Sequence, residues 1–338
     1  MTTHEPNLSV ITPLSLSPND PLAGETVALS ATIRNNEDQP IKIDSIGIPI
    51  RYYDTYNYDV GWTGAATLAP GSTQTLTGSI KFDKAGPYTT WISTNIGGRY
   101  TSLTSNITRT TKAPSPDFSL TYIETPNIAP AVGEDVVVKF KLKNNLRVPI
   151  TMDAVGVVGR YGNPYTGANR DFGWVGPETF APGEEKSYTT FVSTVSGTGN
   201  FYAWVAVNHN GTYTQYNNWG FMMTPHLPNL TLSTPLAINS NNPFSIGQTV
   251  SVTATIKNNE TKPIRYNAIG LPIRFHGVYN YDTGWQGAGT FAPSGQSGDT
   301  ISLSGPVKFD KPGPYTVWPS VNIGSSYYTI GTPRPVNL

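Results

Sequence analysis

The residues best equipped for chemistry lie in one stretch, Tyr52-Tyr53-Asp54-Thr55-Tyr56-Asn57-Tyr58-Asp59-Val60-Gly61-Trp62. Aromatic rings interleaved with Asn and Asp suit saccharide contact. A ring face meets pyranose C–H groups, and amide and carboxylate oxygens accept from hydroxyls. A second version runs Phe275-His276-Gly277-Val278-Tyr279-Asn280-Tyr281-Asp282-Thr283-Gly284-Trp285, and a looser third runs from Tyr161 to Trp174. The candidate ligand contacts are Tyr53, Tyr56, Tyr58 and Trp62, then Tyr165 and Trp174, then Tyr279, Tyr281 and Trp285. An architectural role competes with this reading. An acid-x-Gly-Trp element, starting at Asp59, Asp171 and Asp282, closes all three stretches. Such a Trp can cap the end of a fold while the acid caps a turn. Retention in every version favours architecture, because framework is shared between copies more readily than ligand.

A second aromatic position carries a different expectation. In Tyr88-Thr89-Thr90-Trp91-Ile92, period-two alternation puts Tyr88, Thr90 and Ile92 on one face and Trp91 on the other. Trp204 and Trp318 fall out in the same way, and Arg51, Arg160 and Arg274 lie opposite the apolar face of their own strands. If those strands are neighbours, guanidinium stacks on indole at roughly 0.5–1 kcal/mol per exposed pair. Arg51 with Trp91, Arg160 with Trp204 and Arg274 with Trp318 are accordingly read as structural pairs.

Catalytic arrangements are weak. Asp54 and Asp59 resemble an acid pair for glycoside hydrolysis, but Gly277 stands at the place of Asp54 in the later version. The four histidines, His4, His209, His226 and His276, occupy unmatched positions, and no Gly-x-Ser-x-Gly, His-Glu-x-x-His or EF-hand loop appears. The expectation is a non-enzyme with no catalytic residue, no metal site and no cofactor.

Composition narrows the partners. Net charge is zero and 13% of the 338 residues are charged, which lacks the basic footprint of a nucleic-acid binder. Neutral glycans or protein surfaces fit better than polyanions. No apolar run approaches the roughly 18–20 residues of a membrane span. Met1-Thr2-Thr3-His4 lacks the basic and apolar regions of a signal peptide, so the expectation is an excised segment whose signal or anchor lies elsewhere. Without cysteine no disulfide is available. Together with low charge and a Thr/Asn/Ser-rich surface, this points to an extracellular or cell-surface setting. Asn106-Ile-Thr, Asn210-Gly-Thr, Asn229-Leu-Thr and Asn259-Glu-Thr match glycosylation acceptors, as chance produces in such a composition.

The elements that must position these residues are strands. Val27, Leu29, Ala31 and Ile33 alternate with polar neighbours, as do Val136, Val138, Phe140 and Leu142, and Val250, Val252, Ala254 and Ile256. Gly24-Glu25, Gly133-Glu134 and Gly247-Gln248 turn into these runs. Ala69-Pro70-Gly71, Ala181-Pro182-Gly183 and Ala292-Pro293-Ser294-Gly295 precede a later strand. Openings at Pro6-Asn7-Leu8, Pro116-Asp117-Phe118 and Pro228-Asn229-Leu230, and the pairs Asn35-Asn36, Asn144-Asn145 and Asn258-Asn259, complete a module repeated at about 110 residues, which is domain-sized rather than solenoid-sized. The expected architecture is all-β: three immunoglobulin-like antiparallel β-sandwiches of six or seven strands, at 1–113, 114–225 and 226–338. Proline on both sides of Thr110–Pro116 and of Thr224–Pro228 stiffens the connections, so a monomeric rod is expected. The middle copy diverges, with Arg170 beside Asp171 and a Tyr213-Thr214-Gln215-Tyr216-Asn217-Asn218-Trp219 ending.

In order and type these signals resemble the bacterial immunoglobulin-like domains of the cell-adhesion-related type. Pro6-Asn7-Leu8, the turn and strand from Gly24 to Asn35, Ala69-Pro70-Gly71 and Gly86-Pro87-Tyr88 carry the resemblance, and equivalents recur across nearly the whole chain. The tyrosine-rich excursion departs from that pattern. Membership would imply surface display or modular attachment. The leading expectation is a non-catalytic adhesive array or stalk contacting glycan or protein on a cell or matrix surface. The alternatives are an ancillary carbohydrate-binding region of a larger secreted hydrolase, and a fibre or appendage subunit.

Overall fold

The computed structural model describes residues 5–217, 220–239 and 245–338, so Asn218 and Trp219 lie outside the described residues, as does the side chain of Tyr279. Among the described residues there is no helix, hence none that could cross a membrane, and every named strand pairing is antiparallel. By packing, the chain forms two compact units. One comprises Met1–Phe118, Asn144–Thr151 and Thr179–Glu184; the other comprises Ser119–Lys143, Met152–Glu178 and Glu185–Leu338.

In the first unit, Glu25–Asn35 is the centre of a three-stranded sheet between Leu8–Ser17 and Thr73–Phe82. Its alternation is the cause of its placement: Val27, Leu29, Ala31 and Ile33 are buried while the residues between them face outward. The second sheet runs through Ile50–Tyr52, Gly86–Thr90 and Ile107–Thr111, and continues through Ser45–Ile48, Ser93–Ile96 and Arg99–Ser102. Ile46, Ile48, Ile50, Leu76, Phe82 and Tyr88 meet Val27, Leu29 and Ile33 in one core between the sheets. Phe82 and Tyr88 stack there at 4.0 Å. This is an immunoglobulin-like sandwich.

The strand count exceeds the sequence expectation, with thirteen segments between Leu8 and Thr111. Pro49 is one reason. It has no N–H to donate, so the central strand splits into Ser45–Ile48 and Ile50–Tyr52, and its neighbour splits at Trp91-Ile92. Pro272 divides Ala268–Leu271 from Ile273–Phe275 in the second unit. Where Val158 replaces this proline, Ala154–Tyr161 is continuous and pairs along its length with Phe201–His209.

Within the second unit, residues 135–143 pair with Glu185–Thr194, and Phe140 stacks on Tyr188 at 4.8 Å and on Phe191 at 5.6 Å. Further along, Thr249–Asn258 lies between Leu230–Asn239 and Thr300–Lys308. Val250, Val252, Ala254 and Ile256 are buried, as the alternation requires.

The Asn-Asn pairs have a local cause. Asn35 is fully buried, donates its amide to the carbonyls of Gln39, Leu68 and Ala69, and accepts from the Glu37 N–H. Asn144 does the same to Val148, Phe180, Ala181 and Leu146, and Asn258 to Lys262, Ala292 and Glu260. One side chain thus ties the turn that follows it to the Ala-Pro turn 33 to 37 residues on. The second Asn is an exposed bridge, Asn36 to Asn7. Asn35→Ala strands buried carbonyls and an N–H, so urea unfolding of this variant is expected to show a loss of about 2–3 kcal/mol, and Asn36→Ala a loss below about 1 kcal/mol. Equal effects would contradict this division of labour.

Candidate functional site

One constellation recurs on the outer face of the second sheet of the first unit and twice in the second unit. Its node is a carboxylate. Asp59 Oδ1 accepts the Ile50 backbone N–H at 2.8 Å and pairs with Nη1 of Arg51. Nη1 also donates to Asn57 Oδ1 and to the Ile50 carbonyl, both at 2.9 Å, and Asn57 accepts the Asp59 N–H. Asp171 with Arg160 and Asn169, and Asp282 with Arg274 and Asn280, repeat every bond. The acid therefore satisfies a strand N–H, and in the same step fixes where the guanidinium sits.

That position lies over the second Trp. The guanidinium carbon stands 5.6 Å from the Trp91 ring, and 5.8 Å from Trp204 and Trp318 for Arg160 and Arg274. Trp204 is on the outer face yet only 4% exposed, packed with Val158, Ala206, Trp174 and Tyr202 in a small cluster of its own.

The first Trp does not cap the end of the sandwich. Its indole lies flat on the central strand, so a Cβ added at Gly47 would come within 2.4 Å of the Trp62 ring. Gly156 under Trp174 and Gly270 under Trp285 give 2.5 and 2.4 Å. The glycine just before each Trp has a positive φ of 63°, 134° or 62° at Gly61, Gly173 and Gly284, which turns the ring over the strand. Each ring then meets a tyrosine edge: Trp62 with Tyr100 at 6.0 Å, Trp174 with Tyr213 at 5.4 Å, Trp285 with Tyr327 at 5.9 Å. Trp62, Trp285 and these tyrosines remain exposed.

Between the aromatic walls runs a groove. It measures about 810 Å³ beside Arg51, Asp59, Trp62, Trp91 and Tyr100, about 470 Å³ beside Arg274, Asp282, Trp285, Trp318 and Tyr327, and about 320 Å³ beside Arg160, Asp171, Trp174, Trp204 and Tyr213. Val158 and Ala206 line the smallest, where the others have Pro49 with Ser93 and Pro272 with Ser320. Flat aromatic surface beside paired donors and acceptors is what a pyranose ring requires.

The tyrosines of the excursion gather elsewhere. Tyr58 donates to Asp83 Oδ1 at 2.7 Å and Tyr52 to the Ala85 carbonyl at 2.7 Å, while the Lys84 ammonium stands over the Tyr52 and Tyr56 rings. Tyr281 makes the same bond to Asp310, and Lys311 stands over Phe275. Tyr53 and Tyr56 are exposed, and Tyr53 adopts φ 48°. Tyr165 sits in a turn held by Asn163, outside the groove. Sequence reasoning read Asn57 and Asn280 as ligand acceptors rather than arginine partners, took Tyr213 only as part of a divergent ending, and passed over Asn169, the glycines beneath the indoles, Tyr100 and Tyr327. A signal for the tyrosines existed: each stands five residues after an Asn, at Asn95, Asn208 and Asn322.

No family model matches the chain, and no curated protein matches it. Among solved structures it is similar to the Escherichia coli adhesin FdeC, at 14% identity over 100% of this chain and 99% of that one, with a TM-score of 0.30. It is similar to red sea bream transglutaminase at 11% identity over 64% of this chain, with a TM-score of 0.28. Elastase-activated Escherichia coli alpha-2-macroglobulin gives 11% over 98%, with a TM-score of 0.24. The chain spans 31% and 32% of those two proteins' length. At such values these likenesses speak to neither ligand nor activity, and the fold rests on the strand pairing itself. Among the described residues no group of three or more His, Cys, Asp or Glu is placed to hold a metal ion.

Two outcomes are expected. Gly47→Ala forces Trp62 off the strand, which costs about 1–3 kcal/mol and shifts indole fluorescence. Gly64→Ala, with open space at its Cβ, leaves both unchanged. An undisturbed Gly47→Ala variant would contradict the packing. The second concerns pH. The Tyr58 hydroxyl holds the Asp83 carboxyl below its ordinary value of 3.8, against the opposing effect of burial. A lowered folded value stabilises above 3.8, and the gain is lost as pH falls from there through the folded value. Tyr58→Phe should therefore lower stability at neutral pH and differ less from the parent chain well below the carboxylate range. A constant difference would contradict the assignment.

Proposed function

We propose that the chain is a non-catalytic adhesive segment of a surface or secreted protein, related to the cell-adhesion-related immunoglobulin-like domains, with the outer-face grooves as its contact with glycan. The carrying observation is the recurrence, three times over, of an indole laid on glycine, a Tyr edge, and an Arg–Asp pair seated over a second indole. A groove with aromatic walls and an internally neutralised charge suits a neutral, hydroxyl-rich ligand. Zero net charge agrees with this. Repetition suits a polymer, because several weak contacts on one chain raise retention well beyond any single contact when the spacing matches.

Trp62→Ala combined with Trp285→Ala is expected to weaken retention on immobilised neutral polysaccharide at least tenfold, with melting still cooperative but at a lower temperature. Tyr53→Ser with Tyr56→Ser should leave retention intact. Retention that survives the tryptophan changes and falls with the tyrosine changes would move the contact surface to the excursion.

A further inference from the structure

Resting on the glycan reading above, we infer that the first and third grooves read a vicinal diol of a neutral pyranose, and that the middle groove is closed to it. The guanidinium of Arg51 spends only Nη1 on the protein: all three of its hydrogen bonds leave from that nitrogen. Arg274 is held in the same way. Among the described residues, Nη2 and Nε of both arginines have no hydrogen-bond partner, and both residues line their grooves. A planar edge with parallel N–H groups donates to two adjacent oxygens at once.

The neighbouring acid supplies the complement. Asp59 and Asp282 use Oδ1 for the strand N–H and the arginine, and Oδ2 has no hydrogen-bond partner among the described residues. Free donor edge and free acceptor oxygen thus belong to one ion pair lining one groove. Adjacent hydroxyls can accept from one and donate to the other, since each hydroxyl does both. A ligand carboxylate would meet the arginine but repel the acid, which is why the neutral diol is preferred. The flanking indole covers the apolar face of the same ring.

The middle copy lacks one of these elements and has the smallest groove of the three. Asp171 Oδ2 accepts the Trp174 indole N–H at 2.9 Å, so its acceptor is already taken. Its groove, lined by Val158 and Ala206, measures about 320 Å³. The chain therefore carries two diol sites, at the first and third copies.

The test follows tryptophan indole N–H signals of the full chain by nuclear magnetic resonance. The additions are methyl glucopyranoside, galactopyranoside and mannopyranoside, then the 3-deoxy analogue of whichever binds. The expected result is movement at Trp62 and Trp285 with Trp174 still, and at least tenfold weaker binding for the deoxy sugar. Arg51→Lys, which keeps the charge and loses the second N–H, should remove the Trp62 response alone. Trp174 moving in parallel, or a deoxy sugar binding equally well, overturns the inference. If no indole moves while the chain is still retained on polysaccharide, the diol inference fails and the glycan reading stands. If retention is absent as well, both fail.

Discussion

Everything on the outer face depends on one carboxylate accepting one strand N–H. Ile50 and Ile273 follow a proline that splits the central strand, Gly159 follows Val158 in an unbroken one, and in all three the N–H is accepted by the acid. An unpaired backbone donor away from water is costly. The acid pairs it from the following segment, and so draws that segment onto the sheet. Arginine is then seated beside the acid, above the second indole. The glycine two residues after the acid turns the first indole down onto the strand. Acid, glycine and Trp stand in fixed spacing because one local geometry needs all three.

The same constraint explains why the two Trp positions are not equivalent. Trp91 and its counterparts lie beneath a guanidinium, so one ring face is already used. Trp62 and Trp285 have one face on glycine and the other toward the groove, at 37% and 39% exposure. One ring thus meets burial on one face and leaves the other open to the groove. This reconciles an architectural motif with the binding surface we propose, roles that compete only if a side chain is assumed to have one face.

Much of the fold is legible in the sequence because period-two burial is a local property. Val27 to Ile33 and Val250 to Ile256 alternate in the text and in the structure alike. The segmentation at Pro49 and Pro272 was open to the same reading, since a proline in a central strand cannot donate to its ladder. The site was legible in residue type and less so in assembly. Arg51 and Trp91 come out as neighbours from alternation alone. Tyr58 and Trp62 sit four residues apart and part company in space, Tyr58 toward Asp83 and Trp62 onto Gly47. Nothing in their spacing shows that divergence, because it is set by the acid at Asp59 and by glycine on another strand. Tyr100 and Tyr327 come from an edge strand well removed in sequence, where only the copies' common offset from Asn marks them.

The central claim is that the outer-face groove, and not the tyrosine excursion, is the contact surface. A crystal structure of the chain with a neutral oligosaccharide tests it most directly. The account predicts a pyranose ring against Trp62 and Trp285, with adjacent hydroxyls at the Arg51 and Arg274 edges. A sugar seated on Tyr53 and Tyr56, with both grooves holding only solvent, would contradict it.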